Sequence, residues 1–411
     1  MQSRSQQLHI PSGIRFSCSE CGNCCLQWPV PATTDDFERI ENAREKLGGE
    51  YPASRELFRV LNAADSKLSV FSHSLEKRAD GKCAFLTEEN RCALHEKLGS
   101  DAKPAMCRLF PYTFTGTPDG VFCSVSFAST ATLFNQGEFL DKQSDFLHKK
   151  HELFSQLFPQ LNLDWSYVQV VDGVALDWAV YREYEAPVLS CLEQESARRA
   201  ESLLFEKTES FRKLVPPEVN LDNMADFEAR PKLIDQVLIK HLLRFYVPVD
   251  VFGESSTDFQ ARSVLEEVIR GSEKVEIVWM SKGIGFGQIF SSNLGDISDE
   301  CRDLIRRFLY LRVFSKLFFG PGFNYLSVVA GFHHLITIAV LARLCLKLDL
   351  LSGVLSPDEL ATQKAFLRLA EHLRSIERRL TVADFSEETI AMLEILLASP
   401  RRIERLISLC A

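Results

Sequence analysis

The sequence predicts a mainly α protein, with a small irregular cysteine-rich module in front of a large, mostly helical region. Three observations predict it. Eight of the 12 cysteines lie within the first 123 residues, and the rest of the chain holds four. Around the early cysteines, Gly, Pro, Asn and Asp interrupt short apolar runs. From about Phe127 onward, apolar residues recur at helical spacing. These observations place the module at residues 14–126 and the helical domain at 127–411. A further division is expected near 216–232, where PPEVNLDNMADFEARPK reads as a linker.

Within the module one helix start is clear. Thr34 precedes Asp35 and Asp36, and the amphipathic run FERIENAREKL follows; a capping hydroxyl with acids in the first turn marks a helix N-terminus. Beyond the module, VLSCLEQESARRAESLLFEKTESFRKLV and LIDQVLIKHLLRFYV carry apolar residues at i, i+3, i+4 and i+7. FQARSVLEEVIRG reads as another helix, with Gly271 as its C-cap. CRDLIRRFLYLRVFSKLFFG, DELATQKAFLRLAEHLRSIERRL, SEETIAMLEILLAS and PRRIERLISLCA complete the helical set. Strand signals are few. YVQVVDGVALDWAV reads as a short hairpin around Asp172–Gly173, and VEIVWM is a short apolar run.

The chain has 411 residues, 46% apolar and 25% charged, which is the composition of a globular protein with a sizeable core. Its net charge of −9 argues against a nucleic-acid binder, which needs a basic face. The start, MQSRSQQLHIPSG, is polar and has no apolar h-region, so a cytoplasmic, reducing setting is expected. Crowded cysteines in that setting are metal ligands or redox groups more often than disulfides. Residues 325–342, YLSVVAGFHHLITIAVLA, carry no formal charge. Two central histidines make a buried core helix the better reading than a membrane span.

The first cysteine group is Cys18-x2-Cys21-x2-Cys24-Cys25. Two residues between thiolates let successive turns aim their sulfurs at one centre, in zinc and iron–sulfur sites alike. Adjacent Cys24 and Cys25 must diverge, because neighbouring side chains point apart. One of them can join Cys18 and Cys21; the other serves a second metal or is buried. A ferredoxin run would continue with a fourth cysteine and a proline, so ligands from far along the chain are required. Cys83, Cys92, Cys107 and Cys123 supply them. Composition and spacing leave zinc and iron open. Arg108, beside Cys107, is a candidate to hydrogen-bond a sulfur or a bound cofactor. Trp28 and Phe110 are candidate walls against water. His95 reads as a surface residue, and Cys191, Cys301, Cys345 and Cys410 as core.

CSECGNCCLQW, CAFLTEENRCALHEKLG and KPAMCRLFPY together resemble the CxxCxxCC zinc- or iron-chelating proteins, through the order of the cysteines and the CRLFPY ending. RRFLYLRVFSKLFFG, followed by a long apolar helix, is similar to the tail of the flagellin lysine-N-methylase branch of that family. The resemblance implies a cysteine-bound iron–sulfur cluster, [4Fe–4S], with zinc as the alternative, on Cys18, Cys21, Cys24, Cys25, Cys83, Cys92, Cys107 and Cys123. For that branch it also implies transfer of methyl groups from S-adenosylmethionine to lysines of a protein partner such as flagellin.

The residues give that activity no separate support. VEIVWMSKGIGFG places Gly283, Gly285 and Gly287 after an apolar run, but no alternating strands follow to build a doubly wound sheet, so the segment reads as a hairpin or turn. The C-x3-C-x2-C spacing of radical chemistry is not present. His333 and His334 are adjacent and cannot share a face; they read as core. Two functions therefore stand beside each other: a protein-lysine methyltransferase, and a non-enzymatic iron–sulfur or zinc module that senses redox state or scaffolds a partner.

Overall fold

The computed structural model describes residues 7–26, 29–48, 57–61, 70–159, 161, 163–194, 199–219, 231–247, 274–275 and 283–410. Among them, fifteen α-helices stand against strands of six residues at most, so the fold is mainly α. The chain divides into two compact units, Met1–Gly116 with Gly120–Asn162, and Thr117–Asp119 with Leu163–Ala411.

The first unit carries two small sheets. In one, β1 (Leu8–His9), β6 (Gly120–Val125) and β5 (Tyr112–Thr117) lie in that order, with β1 parallel to β6. In the other, β4 (His73–Leu75) is central and pairs antiparallel with β2 (Val30–Ala32) and β3 (Phe58–Val60). Short helices α1 (Thr34–Asn42), α2 (Arg44–Leu47), α3 (Ala93–Leu98), α4 (Ala105–Leu109) and α5 (Thr130–Leu133) connect them, and α6 (Ser144–Leu157) closes the unit. The cap of α1 is Thr33, one residue before the expected Thr34. The Thr33 hydroxyl accepts from the Asp36 N–H at 3.1 Å, and the Asp36 carboxylate accepts from the Thr33 N–H at 3.1 Å, a reciprocal box that fixes the start.

The unit runs past residue 126, where the sequence placed the end of the module. Its last stretch returns to the beginning of the chain. The Phe16 and Ser17 N–H groups donate to the carbonyls of Glu138 and Gln136, each at 3.0 Å, and the Leu140 N–H donates to the Ile14 carbonyl at 2.9 Å. These pairings are non-local, so local patterning carries no trace of them.

The second unit is built round one helix. α12 (Val328–Ser352) is buried along nearly its whole length, from Val328 to Asp349. A helix apolar on every side belongs inside a core. Its neighbours include α8 (Ala200–Arg212), α11 (Asp299–Phe314), α13 (Gln363–Leu380), α14 (Glu387–Leu397) and α15 (Pro400–Ser408). Ser327 caps its start, and Gly353 ends it in a left-handed conformation, φ 83°. No helix among the described residues is long and apolar enough to cross a membrane.

The remaining expected elements fall as follows. The hairpin forms as β7 (Gln169–Val171) and β8 (Val174–Ala175), turning at Gly173 with φ 75°. The run 188–215 is held by two helices, α7 (Trp178–Glu193) and α8. α9 (Pro231–Tyr246) accounts for the next run. The FQARSVLEEVIRG helix, Gly271, most of VEIVWM and most of the 216–232 linker lie outside the described residues. Ile284–Gly285 forms β10, antiparallel to β9 (Lys274–Val275), and leads into the short helix α10 (Phe286–Ser291). Among the described residues that is a two-stranded pairing.

Several buried charges in this unit are paired, which offsets their desolvation. Lys316 and Glu185, both fully buried, meet at 2.8 Å, and the Tyr181 hydroxyl donates to the same carboxylate at 2.6 Å. Asp235 takes Arg402 and Arg405. The adjacent histidines find separate partners. His334 bonds the Tyr246 hydroxyl at 2.8 Å, and His333 bonds the Leu397 carbonyl at 2.5 Å. Burial pulls their pKa values down to about 3 and about 4, so both are neutral core residues. Cys301, Cys345 and Cys410 are buried too, while Cys191 is half-buried.

Candidate metal centre

Seven of the eight early cysteines line one cavity in the first unit, with a volume of about 600 Å³. Each reaches it by a distinct local device. Cys18 follows Ser17, whose backbone is clamped against Gln136–Glu138. Gly137 makes the clamp, with φ 105°; a Cβ there would lie 2.3 Å from the Ser17 nitrogen. Gly22, at φ 71°, opens the turn that carries the double cysteine, and its Cβ would fall 2.8 Å from Cβ of Asn90. Only glycine allows that approach without strain.

A 3₁₀ turn, Asn23–Cys25, then separates the adjacent pair. The Cys24 thiol is pushed up chiefly by burial and then by neighbouring Cys21, with Ser129 and Thr130 opposing the rise. Cys25 turns instead to Cys83 and Cys92. The divergence that the sequence required is present.

Cys25, Cys83, Cys92 and Cys107 pack on one apolar cluster with Phe85, Leu86 and Leu94. Backbone hydrogen bonds fix their places. The Cys83 N–H donates to the Cys25 carbonyl at 3.0 Å, and the Ala93 N–H to the Phe85 carbonyl at 2.8 Å. Leu86 and Cys92 form an isolated bridge. Cys107 sits in α4, whose start is held by Asp36: both carboxylate oxygens accept from the Ala105 N–H at 3.1 Å. Three separate segments of the chain thus bring four thiols against one apolar cluster.

Burial governs their protonation. It pushes Cys25 up to about 12, with neighbouring Cys83 and Cys92 adding to the rise. Cys107 is raised well above the ordinary value by burial and then by Cys83, Cys25 and Cys92. Cys83 and Cys92 are raised by burial as well. Opposing these rises are Lys77, beside Cys25 and Cys83, and Lys103, beside Cys92 and Cys107. The sequence had singled out Arg108 for this role. Arg108 does line the cavity, but its Nε is buried with no hydrogen-bond partner. No local signal marked Lys77 or Lys103, whose proximity to the thiols is wholly tertiary.

Cys123 stands apart from the other seven. It lies in β6, fully buried, with its thiol directed to the Ser124 carbonyl at 3.9 Å, and it is not among the residues lining the cavity. Tyr112 has both Cys123 and Cys18 as neighbours. Phe110 lines the cavity as expected, and so does His95, half-exposed and 3.8 Å from Glu20. Trp28 lies outside the described residues.

The donor set fits a thiophilic metal in kind. All the early cysteines are free thiols, and thiolate suits zinc and iron–sulfur clusters alike. Four thiolates round a dicationic centre leave a net charge of about −2, which Lys77 and Lys103 are placed to balance. As the side chains stand, among the described residues no three His, Cys, Asp or Glu groups are arranged to hold a metal ion. A single zinc requires sulfurs about 2.3 Å from one point, so the thiols must draw together to bind it.

No curated protein and no solved structure matches the chain. Residues 17–139, which span every one of these cysteines, match the family model CxxCxxCC, described as "Putative zinc- or iron-chelating domain", and over that stretch the chain is similar to that family.

Proposed function

We propose that the first unit binds an iron–sulfur cluster, or a zinc ion in its place, through Cys25, Cys83, Cys92 and Cys107. The observation that carries this reading is the convergence of four free thiols from three separate segments on one apolar cluster beside one cavity. The chelating description of the matched family supports it. A bound cluster would supply redox or Lewis-acid chemistry, and a bound zinc would staple the short elements together. The protein's own part is to exclude water with Phe85, Leu86 and Leu94 and to set Lys77 and Lys103 against the thiolate charge. Cys18, Cys21 and Cys24 form a second thiol group on the same cavity, with Cys18 exposed to solvent. Cys123 is left out of the proposed ligand set, because it does not line the cavity. The reading does not need an enzyme; redox sensing or scaffolding is consistent with it.

Anaerobic purification with iron, zinc and sulfide analysis and a visible spectrum tests it. Stoichiometric iron with sulfide, or stoichiometric zinc, is expected; a metal-free chain under these conditions overturns the proposal.

The second reading, S-adenosylmethionine-dependent methylation of protein lysines, is favoured by the likeness of RRFLYLRVFSKLFFG, residues 306–320, to the flagellin lysine-N-methylase branch. Incubation of the anaerobic protein with labelled cofactor and flagellin tests it, with label on flagellin lysines as the supporting outcome.

A further inference from the structure

The thiol cavity also gathers basic side chains. Lys77, Lys103, Arg108 and Lys150 all line it. Among the described residues, none of the four makes an ion pair with a carboxylate within 4.0 Å. Lys77 and Lys103 are the two beside the Cys25–Cys107 group. Arg108 and Lys150 remain, held together by a hydrogen bond from Lys150 Nζ to the Arg108 carbonyl at 2.6 Å. Arg108 carries a buried Nε with no partner. Lys150 is depressed by burial and then by Arg108 and Lys103, with Asp101 opposing. Like charges crowded in this way, with donors to spare, are matched by an anion.

Of the acids on the cavity wall, Glu96 and Glu20 are engaged elsewhere, while Asp101 lies at the solvent side near Lys150 without pairing with it. Glu96 pairs with Arg91 at 3.2 Å, Glu20 faces His95 at 3.8 Å, and Asp101 is exposed. Beside the cations stands an apolar wall. Phe146 is 43% exposed, lies under Lys150 at 4.8 Å and meets Tyr112 edge-on at 5.6 Å. An inorganic ion would leave that wall bare.

We propose that Arg108 and Lys150, with Phe146 and Tyr112 beside them, form a binding site for an organic oxyanion: a carboxylate or phosphate attached to an apolar or aromatic body. The anion takes the two cations, and its body covers the aromatic wall. The site lies on the same cavity as the thiols, but its existence does not depend on which metal they hold.

Calorimetric titration of the full chain with benzoate and with phenyl phosphate tests the site. Acetate and inorganic phosphate serve as body-free comparisons. Saturable binding of at least one aryl anion is expected, tighter than that of its body-free counterpart and weakening as salt is raised. Whichever aryl anion binds more tightly distinguishes carboxylate from phosphate. Arg108→Gln and Lys150→Gln should each weaken binding about tenfold, and Lys149→Gln, an exposed neighbour off the cavity, should leave it unchanged. Wild-type protein with no saturable binding of either aryl anion, or a Lys149→Gln loss equal to that of Lys150→Gln, overturns the proposal. Metal content measured on the same samples separates the two readings: a metal-free chain that still binds the anion sinks only the metal proposal, and a metal-loaded chain that does not sinks only this one.

Discussion

Cys83 donates its backbone N–H to the carbonyl of Cys25 at 3.0 Å, and Lys77 Nζ donates to the same carbonyl at 3.1 Å. Two cysteines from separate segments of the module are therefore neighbours by backbone pairing, before any metal is considered. The bond sets the register in which Cys92 and Cys107 join them, and places a cation at the thiol group.

The ligand assignment predicts a split among the cysteines. Cys25→Ser and Cys107→Ser should lower bound metal to less than half of wild type, whereas Cys123→Ser should retain it, because Cys123 faces the Ser124 carbonyl. Metal analysis on folded, anaerobically purified variants checks this. Full retention in Cys107→Ser would sink the assignment.

Gly22 is expected to tolerate no side chain. Alanine there incurs about 1–2 kcal/mol for its left-handed backbone, and its Cβ must also displace Asn90. Gly22→Ala should lower the urea midpoint and also the metal content, since the same turn aims Cys24 and Cys25.

Asp36 acts on the centre from a distance. It is buried, accepts from the Thr33 and Ala105 N–H groups and pairs with Arg39 at 2.6 Å. Asp36→Ala should cost about 2–3 kcal/mol, measured by denaturant melt, and should loosen α4 and Cys107 with it.

Stability of the metal-free, reduced chain should fall in alkali. Burial first, and neighbouring thiols second, raise Cys25 from 9.0 to about 12. A group raised in the folded state contributes stability below its unfolded value and loses it as pH climbs toward the folded one. The loss should therefore begin near pH 9 and continue toward about 12. Metal binding should show the opposite slope, because it releases the thiol protons. Urea midpoints and metal affinities across that range provide the check.

In the second unit, Glu185→Ala should destabilise by about 3–5 kcal/mol, since it strands a buried lysine. Lys316, already pulled down to about 8 chiefly by burial, would lose its partner at 2.8 Å. Adding Lys316→Met should recover much of the loss in a thermal melt.

By itself the sequence determined which segments carry thiols and which are helical. The crowding of cysteines before residue 124, the divergence of Cys24 from Cys25 and the burial of residues 328–349 follow from composition and from side-chain period, which are local properties. Only the tertiary structure decided which cysteines share a wall of the cavity, that Cys123 does not line it, and that Lys77 and Lys103 lie beside the thiols. Those relations depend on hydrogen bonds and apolar packing between segments far apart along the chain, such as Cys83 on Cys25 and Ala105 on Asp36. Spacing along a sequence carries no information about such pairs until the chain has folded.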